Sequence, residues 1–363
     1  MESLESSNKK INIKARKTMF SRQLAKYGVL ILCMIFTSGT MLAQRVSKTG
    51  TTAASFLEIG VGANADALGG AFVSIANDAS ALYWNASGIA NVSQTEILVS
   101  HTNWIAQTAF DYAALVLPLG NFGNLGFSFT SLSMDDMKVR TVDKPEGTGE
   151  YFSAGDIAVG LSYARNLTDR FSIGFTAKFI QQKIWHMSST GFAFDAGTLF
   201  RTDLFGGMVI GASISNFGTP MQLAGRDSRQ YISVNVNQLG TNSQIPSDIE
   251  MDSWDLPLIF QIGISTKALN TQDYKLTLAA DAIHPNNDYE SMNVGAEFSF
   301  KDFIFIRGGY QSLFLKDSEG GLTLGLGVNT KMLFSNTIVS FDYAYRDFGR
   351  LEGVHTFSVD LKF

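Results

Sequence analysis

Few residues in this chain have the type and spacing to do chemistry. The four histidines, His101, His186, His284 and His355, stand far apart. None belongs to H-E-x-x-H or another metal-binding spacing, and all four fall at expected strand ends or loops. G-x-S-x-G, a Walker-type loop and G-x-G-x-x-G are all missing. Gly325-Leu326-Gly327 reads as strand alternation rather than a phosphate cradle. The one cysteine, Cys33, excludes a disulfide framework and any thiolate metal cluster. No catalytic residue, cofactor or metal site is therefore expected, and the chain is read as a non-enzyme. A formal net charge of −5 gives no basic footprint for nucleic acid.

What remains is a set of charges at alternating positions: Asp156, Lys178, Asp195, Arg201, Asp281, Glu297, Arg307, Asp342, Arg346, Asp360 and Lys362. Each falls on the polar side of a two-residue alternation. Phe171, Ile173, Phe175, Ala177 and Phe179 interleave with Ser172, Gly174, Thr176 and Lys178. Leu322, Leu324, Leu326 and Val328 interleave with Thr323, Gly325, Gly327 and Asn329, and Gly353–Phe363 repeats the pattern. Such alternation puts one set on each face of a strand. One face is apolar. The other is rich in Gly, Ser, Thr and Asn and sparsely charged. A soluble sandwich would carry the reverse, so the pattern predicts an all-β transmembrane antiparallel barrel with a polar lumen and a lipid-facing exterior. The charges then form either a bracing ion network or the wall of a conduit.

Alternation predicts fourteen strands, starting near Gln94, Ala109, Gly123, Tyr151, Arg170, Ser188, Gly206, Pro257, Asp273, Tyr289, Phe303, Gly320, Asn336 and Gly353. Connections after even strands read as short and those after odd strands as longer, as expected when both termini lie on the periplasmic side. Residues 1–43 read as a signal peptide: seven Lys/Arg precede the apolar run Val29–Phe36, and small residues follow. Met19 is an alternative start. Residues 44–92 are assigned to an N-terminal plug and 93–363 to the barrel, in the outer membrane of a Gram-negative bacterium. The terminal Phe363 resembles an assembly signal for such barrels.

The plug carries the most specific motif. Residues 60–90 lack alternation, are Gly-rich, and hold Phe72, Ile75, Leu82, Tyr83 and Trp84. That is too apolar for a solvated linker, and a fourteen-strand barrel is wide enough to bury it. A short capped helix is expected over Asp78–Asn85. Gly69, Gly70, Asp78, Ser80, Trp84, Asn85 and Gly88 are the motif residues. ALGGAFVSIANDASALYWNASGIA resembles the signature of PorV/PorQ outer-membrane proteins, itself similar to the N-terminal region of FadL-type channels. Asn77, Ala86 and Ser87 depart from that pattern.

The resemblance implies a fourteen-stranded barrel of the type IX secretion system, binding secreted cargo or the translocon and passing cargo to a surface attachment complex. It also implies the alternative of a FadL-like channel holding a hydrophobic ligand in its lumen. A lipopolysaccharide deacylase role attached to the family finds no triad here. Trp104, Ile105, Trp185, Met187, Trp254, Leu313, Phe314 and Leu315 are expected in exposed loops, where they would meet such a partner.

Overall fold

A computed structural model describes residues 49–232, 244–315, 318–330 and 337–363. The signal peptide expected at 1–43 lies outside them. Fourteen strands form one closed antiparallel sheet. They are β1 (Glu96–Asn103), β2 (Thr108–Pro118), β3 (Asn124–Met134), β4 (Ala154–Thr168), β5 (Phe171–Ile184), β6 (Met187–Arg201), β7 (Val209–Gly218), β8 (Ile259–Asn270), β9 (Tyr274–Pro285), β10 (Ser291–Phe300), β11 (Ile304–Leu313), β12 (Leu322–Asn329), β13 (Ile338–Asp347) and β14 (Gly353–Lys362). Each pairs with its sequence neighbours. β1 closes on β14, with Glu96 opposite Lys362 and Asn103 opposite His355. Closure removes every strand edge, so the backbone needs no hydrogen bonds from lipid.

Alternation sorts the side chains as the sequence requires. Phe127, Phe129, Val159, Leu161, Phe175, Phe194, Ile262, Ile264, Leu324 and Leu326 face outward and are exposed. Hydroxyls meet inside: Ser162 with Thr176 at 2.7 Å, Thr102 with Thr356 at 3.1 Å, Ser358 with Ser100 at 3.0 Å. The lumen is not polar throughout. Leu98, Phe110, Tyr112, Ala114 and Val116 are buried on the inner face of β1 and β2. They pack with Leu82 and Ile89 of the N-terminal segment.

The connections 119–123, 169–170, 271–273 and 301–303 are tight and define a turn end of the barrel. The opposite, long-loop end carries 135–153 and 219–258. Parity is weaker than the sequence suggests, because Trp185–His186 is also tight. There β5 and β6 simply extend, and Trp185 takes a left-handed φ of 50° to reverse the chain.

The N-terminal segment traverses the lumen. At the long-loop end Ala53 N–H donates to the Asp255 carbonyl at 2.9 Å, and Asn287 Nδ2 donates to Thr52 Oγ1 at 3.0 Å. At the turn end Asn124 Nδ2 donates to the carbonyls of Ile89 at 2.5 Å and Val92 at 2.7 Å. Between them lie two short helices, α1 (Ala63–Ala67) and α2 (Ala81–Trp84). α2 is shorter than expected. The Asp78 carboxylate accepts from Ser80 N–H at 2.9 Å, a local turn that competes with a helix beginning at 78.

Wall glycines let this segment approach. A Cβ on Gly211 of β7 would lie 2.5 Å from the Val73 carbonyl oxygen, and one on Gly295 of β10 would lie 2.5 Å from that of Leu68. Gly174 and Gly197 meet Ala86 and Asn85 in the same way, Gly309 meets Leu68, and Gly325 meets Ala67. The glycine-rich polar face is thus a set of seats for the plug. Gly211→Val is expected to destabilise the filled barrel by about 1–3 kcal/mol through overpacking. Gly308→Ala should be neutral, since its Cβ would meet only Leu324 Cδ2, at 3.7 Å, and the Thr323 carbonyl oxygen, at 3.8 Å. The temperature at which the compact gel form is lost in detergent measures both.

Candidate functional site

The motif residues tie the plug to itself and to the wall. Gly69 and Gly70 both take left-handed φ, 68° and 74°, which L side chains rarely adopt. A Cβ on Gly69 would also strike the Tyr310 backbone at 2.9 Å. Trp84 Nε1 donates to the Val61 carbonyl at 2.9 Å, and its ring meets Phe72 and Tyr83 edge-on. Asn85 does the most. Its Nδ2 donates to the carbonyls of Val73 at 2.9 Å and of Thr198 in β6 at 3.0 Å, and its Oδ1 accepts from Ser87 Oγ at 2.6 Å. Asp78 takes Asn64 Nδ2 at 2.6 Å and Ser80 Oγ at 2.5 Å. A Cβ on Gly88 would collide with the Ala76 carbonyl.

The luminal charges divide into staples and spare groups. Asp281 Oδ2 accepts Val73 N–H at 2.9 Å. Asp156 holds Gln182 at 3.1 Å, whose Oε1 accepts Ala54 N–H at 2.9 Å. Lys178 pairs with Asp195 at 2.6 Å, and Asp195 Oδ1 accepts from Asn216 N–H at 2.7 Å, where β7 bulges with φ 64°. Arg307 bridges Glu297 at 2.7 Å and Asp342 at 2.5 Å. Arg346 reaches Asp66 of α1 at 3.2 Å. Lys362 sits 3.2 Å from both Glu96 and Asp360 at the β1–β14 seam. Arg201 makes no ion pair among the described residues. Bracing accounts for most of this network. Glu96 was missed by the sequence reading, yet it is buried and its Oε1 accepts Ala79 N–H at 2.8 Å. It shares the inward parity of Ser100 and Thr102, which could have revealed it.

The segment Leu68–Ser74 is a septum between two chambers. The chamber at the turn end, about 400 Å³, is bordered by Phe72, Ser74, Asp78, Arg201, Lys267, Lys275, Glu297 and Arg307. The chamber at the long-loop end, about 170 Å³, is bordered by Glu58, Asp66, Gly70, Tyr83, Trp84, Gln261, Ile283, Leu315 and Arg346. Burial pushes the carboxyls of Glu58 and Asp66 up; a hydrogen bond from Asn287 offsets this at Glu58, and the Arg346 charge offsets it at Asp66.

The loop residues behave less uniformly than expected. Phe314 is 84% exposed and Trp254 45%. Leu313 ends β11 half-buried. Trp104 is a correction. It packs against the plug cluster and beneath Arg346, whose guanidinium carbon sits 5.2 Å above its ring. Leu315 is a second correction, since it turns inward to border the smaller chamber. Met187 is buried on the inner face of β6, and Trp185 stacks on His186 at 4.2 Å. Trp104, Leu315 and Met187 thus find cover inside the mouth that their place in the sequence does not disclose. Ile105 lies in a single turn of 3-10 helix between β1 and β2.

A family model described as an uncharacterised protein family, UPF0164, matches residues 35–181. No curated protein matches the chain. Among solved structures the fold is similar to the toluene transporter TodX of Pseudomonas putida, with TM-score 0.52 at 12% identity, covering 84% of this chain and 97% of that one. It is also similar to the monoaromatic hydrocarbon channel CymD, with TM-score 0.52 at 11% identity and coverage of 84% and 97%. The toluene transporter TbuX of Ralstonia pickettii gives TM-score 0.50 at 11% identity, with the same coverage. This barrel therefore shares its fold with these solved barrels.

Because an Asp281 carboxyl oxygen holds the septum at Val73, Asp281→Ala leaves the buried Val73 N–H without its acceptor, about 1–3 kcal/mol. The displaced septum should become roughly ten-fold or more populated. Single-channel conductance in planar bilayers should rise accordingly, while the compact gel form persists.

Proposed function

We propose that this protein is an outer-membrane channel of a Gram-negative bacterium that admits small hydrophobic or amphipathic molecules, with the Leu68–Ser74 septum as its gate. One observation carries the reading: two cavities, one at each end of the lumen, are separated by the Leu68–Ser74 backbone, which the Asp281 carboxylate and the Asn85 amide hold at Val73. The similar structures whose names describe toluene or monoaromatic hydrocarbon transport support the same reading. The long-loop end then faces outward and the turn end the periplasm, because exported barrels keep short turns inside. The rest of the plug does not leave. It is tied to β1, β3, β5, β6, β12, β13 and β14, so passage requires only local displacement of the septum.

The type IX secretion reading is a second proposal. It is favoured by the exposed Phe314 and Trp254 and by the long connection 219–258. A partner barrel or cargo would dock there.

Uptake of labelled one-ring compounds by Gram-negative cells expressing the protein separates the two. The channel reading expects uptake above the empty-vector level. Gln261→Trp, which fills the smaller chamber, should return it to background with the barrel still assembled. Uptake unchanged by expression, together with co-isolation of a large barrel or secreted protein in mild detergent, would replace the channel with the secretion role.

A further inference from the structure

The smaller chamber has a chemistry of its own. Arg346 is buried at its inner wall, with 4% of its side chain exposed. It lies between aromatic faces, its guanidinium carbon 5.2 Å from the Trp104 ring and 5.5 Å from that of Phe348. Its ion pair with Asp66 is not aligned as a hydrogen bond, so Nε and Nη2 have no hydrogen-bond partner among the described residues. Both atoms are sealed in by protein; the nitrogen beside Gly60 on the chamber wall is Nη1, 3.4 Å from where a Cβ on Gly60 would stand, and a buried guanidinium so short of hydrogen bonds gains from an acceptor that a ligand supplies there.

Size and shape limit that ligand. A cavity of about 170 Å³ is close to the roughly 150 Å³ that admits a benzene ring. The edge of Trp84 forms one side, kept open by Gly60 and Gly70. A Cβ on either would press on that ring at 3.3 and 3.2 Å, and one on Gly60 would lie 2.6 Å from Asp66 Oδ1. Ile259, Ile283 and Leu315 supply apolar cover.

Charge limits it further. Glu58, Asp66 and Asp288 border the same space against the single cation Arg346. A carboxylate ligand would meet three acids. A bare hydrocarbon would leave the guanidinium unmet. A hydroxyl can accept from Arg346 and donate to Asp66 at once.

We propose that the long-loop chamber is a binding site for a one-ring compound bearing a hydroxyl group, a phenol or cyclic alcohol, selected over the matching hydrocarbon and carboxylate. This rests on the channel reading and names the class of molecule that channel takes first.

The test is calorimetric titration of the purified full-length protein in detergent with phenol, benzene and benzoate, each corrected for protein-free micelles. Phenol should bind at least roughly ten-fold more tightly than the other two, as expected for one hydrogen bond to a charged group. Arg346→Lys keeps a cation beside Asp66 but loses the Nη1 donor next to Gly60, and should remove that preference. Gln261→Trp sits on the wall away from the plug staples and should abolish phenol binding even if the Arg346 variant fails to assemble. Benzene binding as tightly as phenol, or benzoate binding best, overturns the assignment while leaving the channel in place. If none of the three binds, the assignment fails, and the channel fails with it only if Gln261→Trp also leaves cellular uptake unchanged.

Discussion

An irregular backbone buried inside a barrel must find on the wall a partner for every N–H and C=O that it cannot pair within itself. That requirement governs this molecule. The segment from Ala53 to Val92 forms only short helical turns and no strand, so local bonds such as Gly70 N–H to the Ala65 carbonyl and Gly88 N–H to the Asn85 carbonyl satisfy part of its backbone and leave the rest unmet. The wall supplies partners strand by strand: Glu96 for Ala79, Asn124 for Ile89 and Val92, Gln182 for Ala54, Asp281 for Val73, Thr323 for Ala67 and Ser358 for Ala63. Glycines on the same strands bring the two backbones close enough for this to work. Polar groups and glycines therefore share the inner face, and the residues that look like a hydrophilic pore mainly hold a plug.

The same constraint shapes where movement can occur. A plug tied on so many strands would have to break many buried hydrogen bonds together to leave, each worth roughly 1 kcal/mol net and more if left unmet. The septum is the thin part. Within it, Gly69 sits against the β11 backbone and Gly70 against Asn293 and Trp84, while Val73 hangs from Asp281 and packs on Gly211. Asn85 links it to β6 and to the turn after α2. Few hydrogen bonds join it to the wall, although Leu68 and Val73 sit closely on Gly295, Gly309 and Gly211. The ion pairs Lys178–Asp195 and Glu297–Arg307–Asp342 lie in the wall and stiffen the frame on which the septum rests. Removing one partner from such a buried pair strands the other, so they serve geometry more than net stability.

The barrel was legible in the sequence because a strand between lipid and lumen repeats every two residues. All fourteen strands begin within three residues of the positions at which alternation starts. The burial of residues 60–90 was legible too, since its aromatic content has no place in water. Less legible were Leu98, Phe110 and Val116, whose inward burial looks like an error of pattern until the plug's Leu82 and Ile89 are seen against them. Trp104 and Leu315 read as loop surface and are instead part of the mouth's lining. Periodicity says which face a residue takes. It carries no information about what lies across the lumen.

The sequence by itself determined a closed barrel, its strand boundaries, its lipid face and the presence of a glycine-rich insert, because each follows from local spacing and solvent preference. Only the tertiary structure decided that Asp281 meets Val73, that Arg346 meets Asp66 between two aromatic rings, and that two chambers remain on either side of one septum. Those contacts join residues more than two hundred positions apart. They arise when closure of the β1–β14 seam brings the wall around the plug, and no local pattern encodes a distance across the lumen.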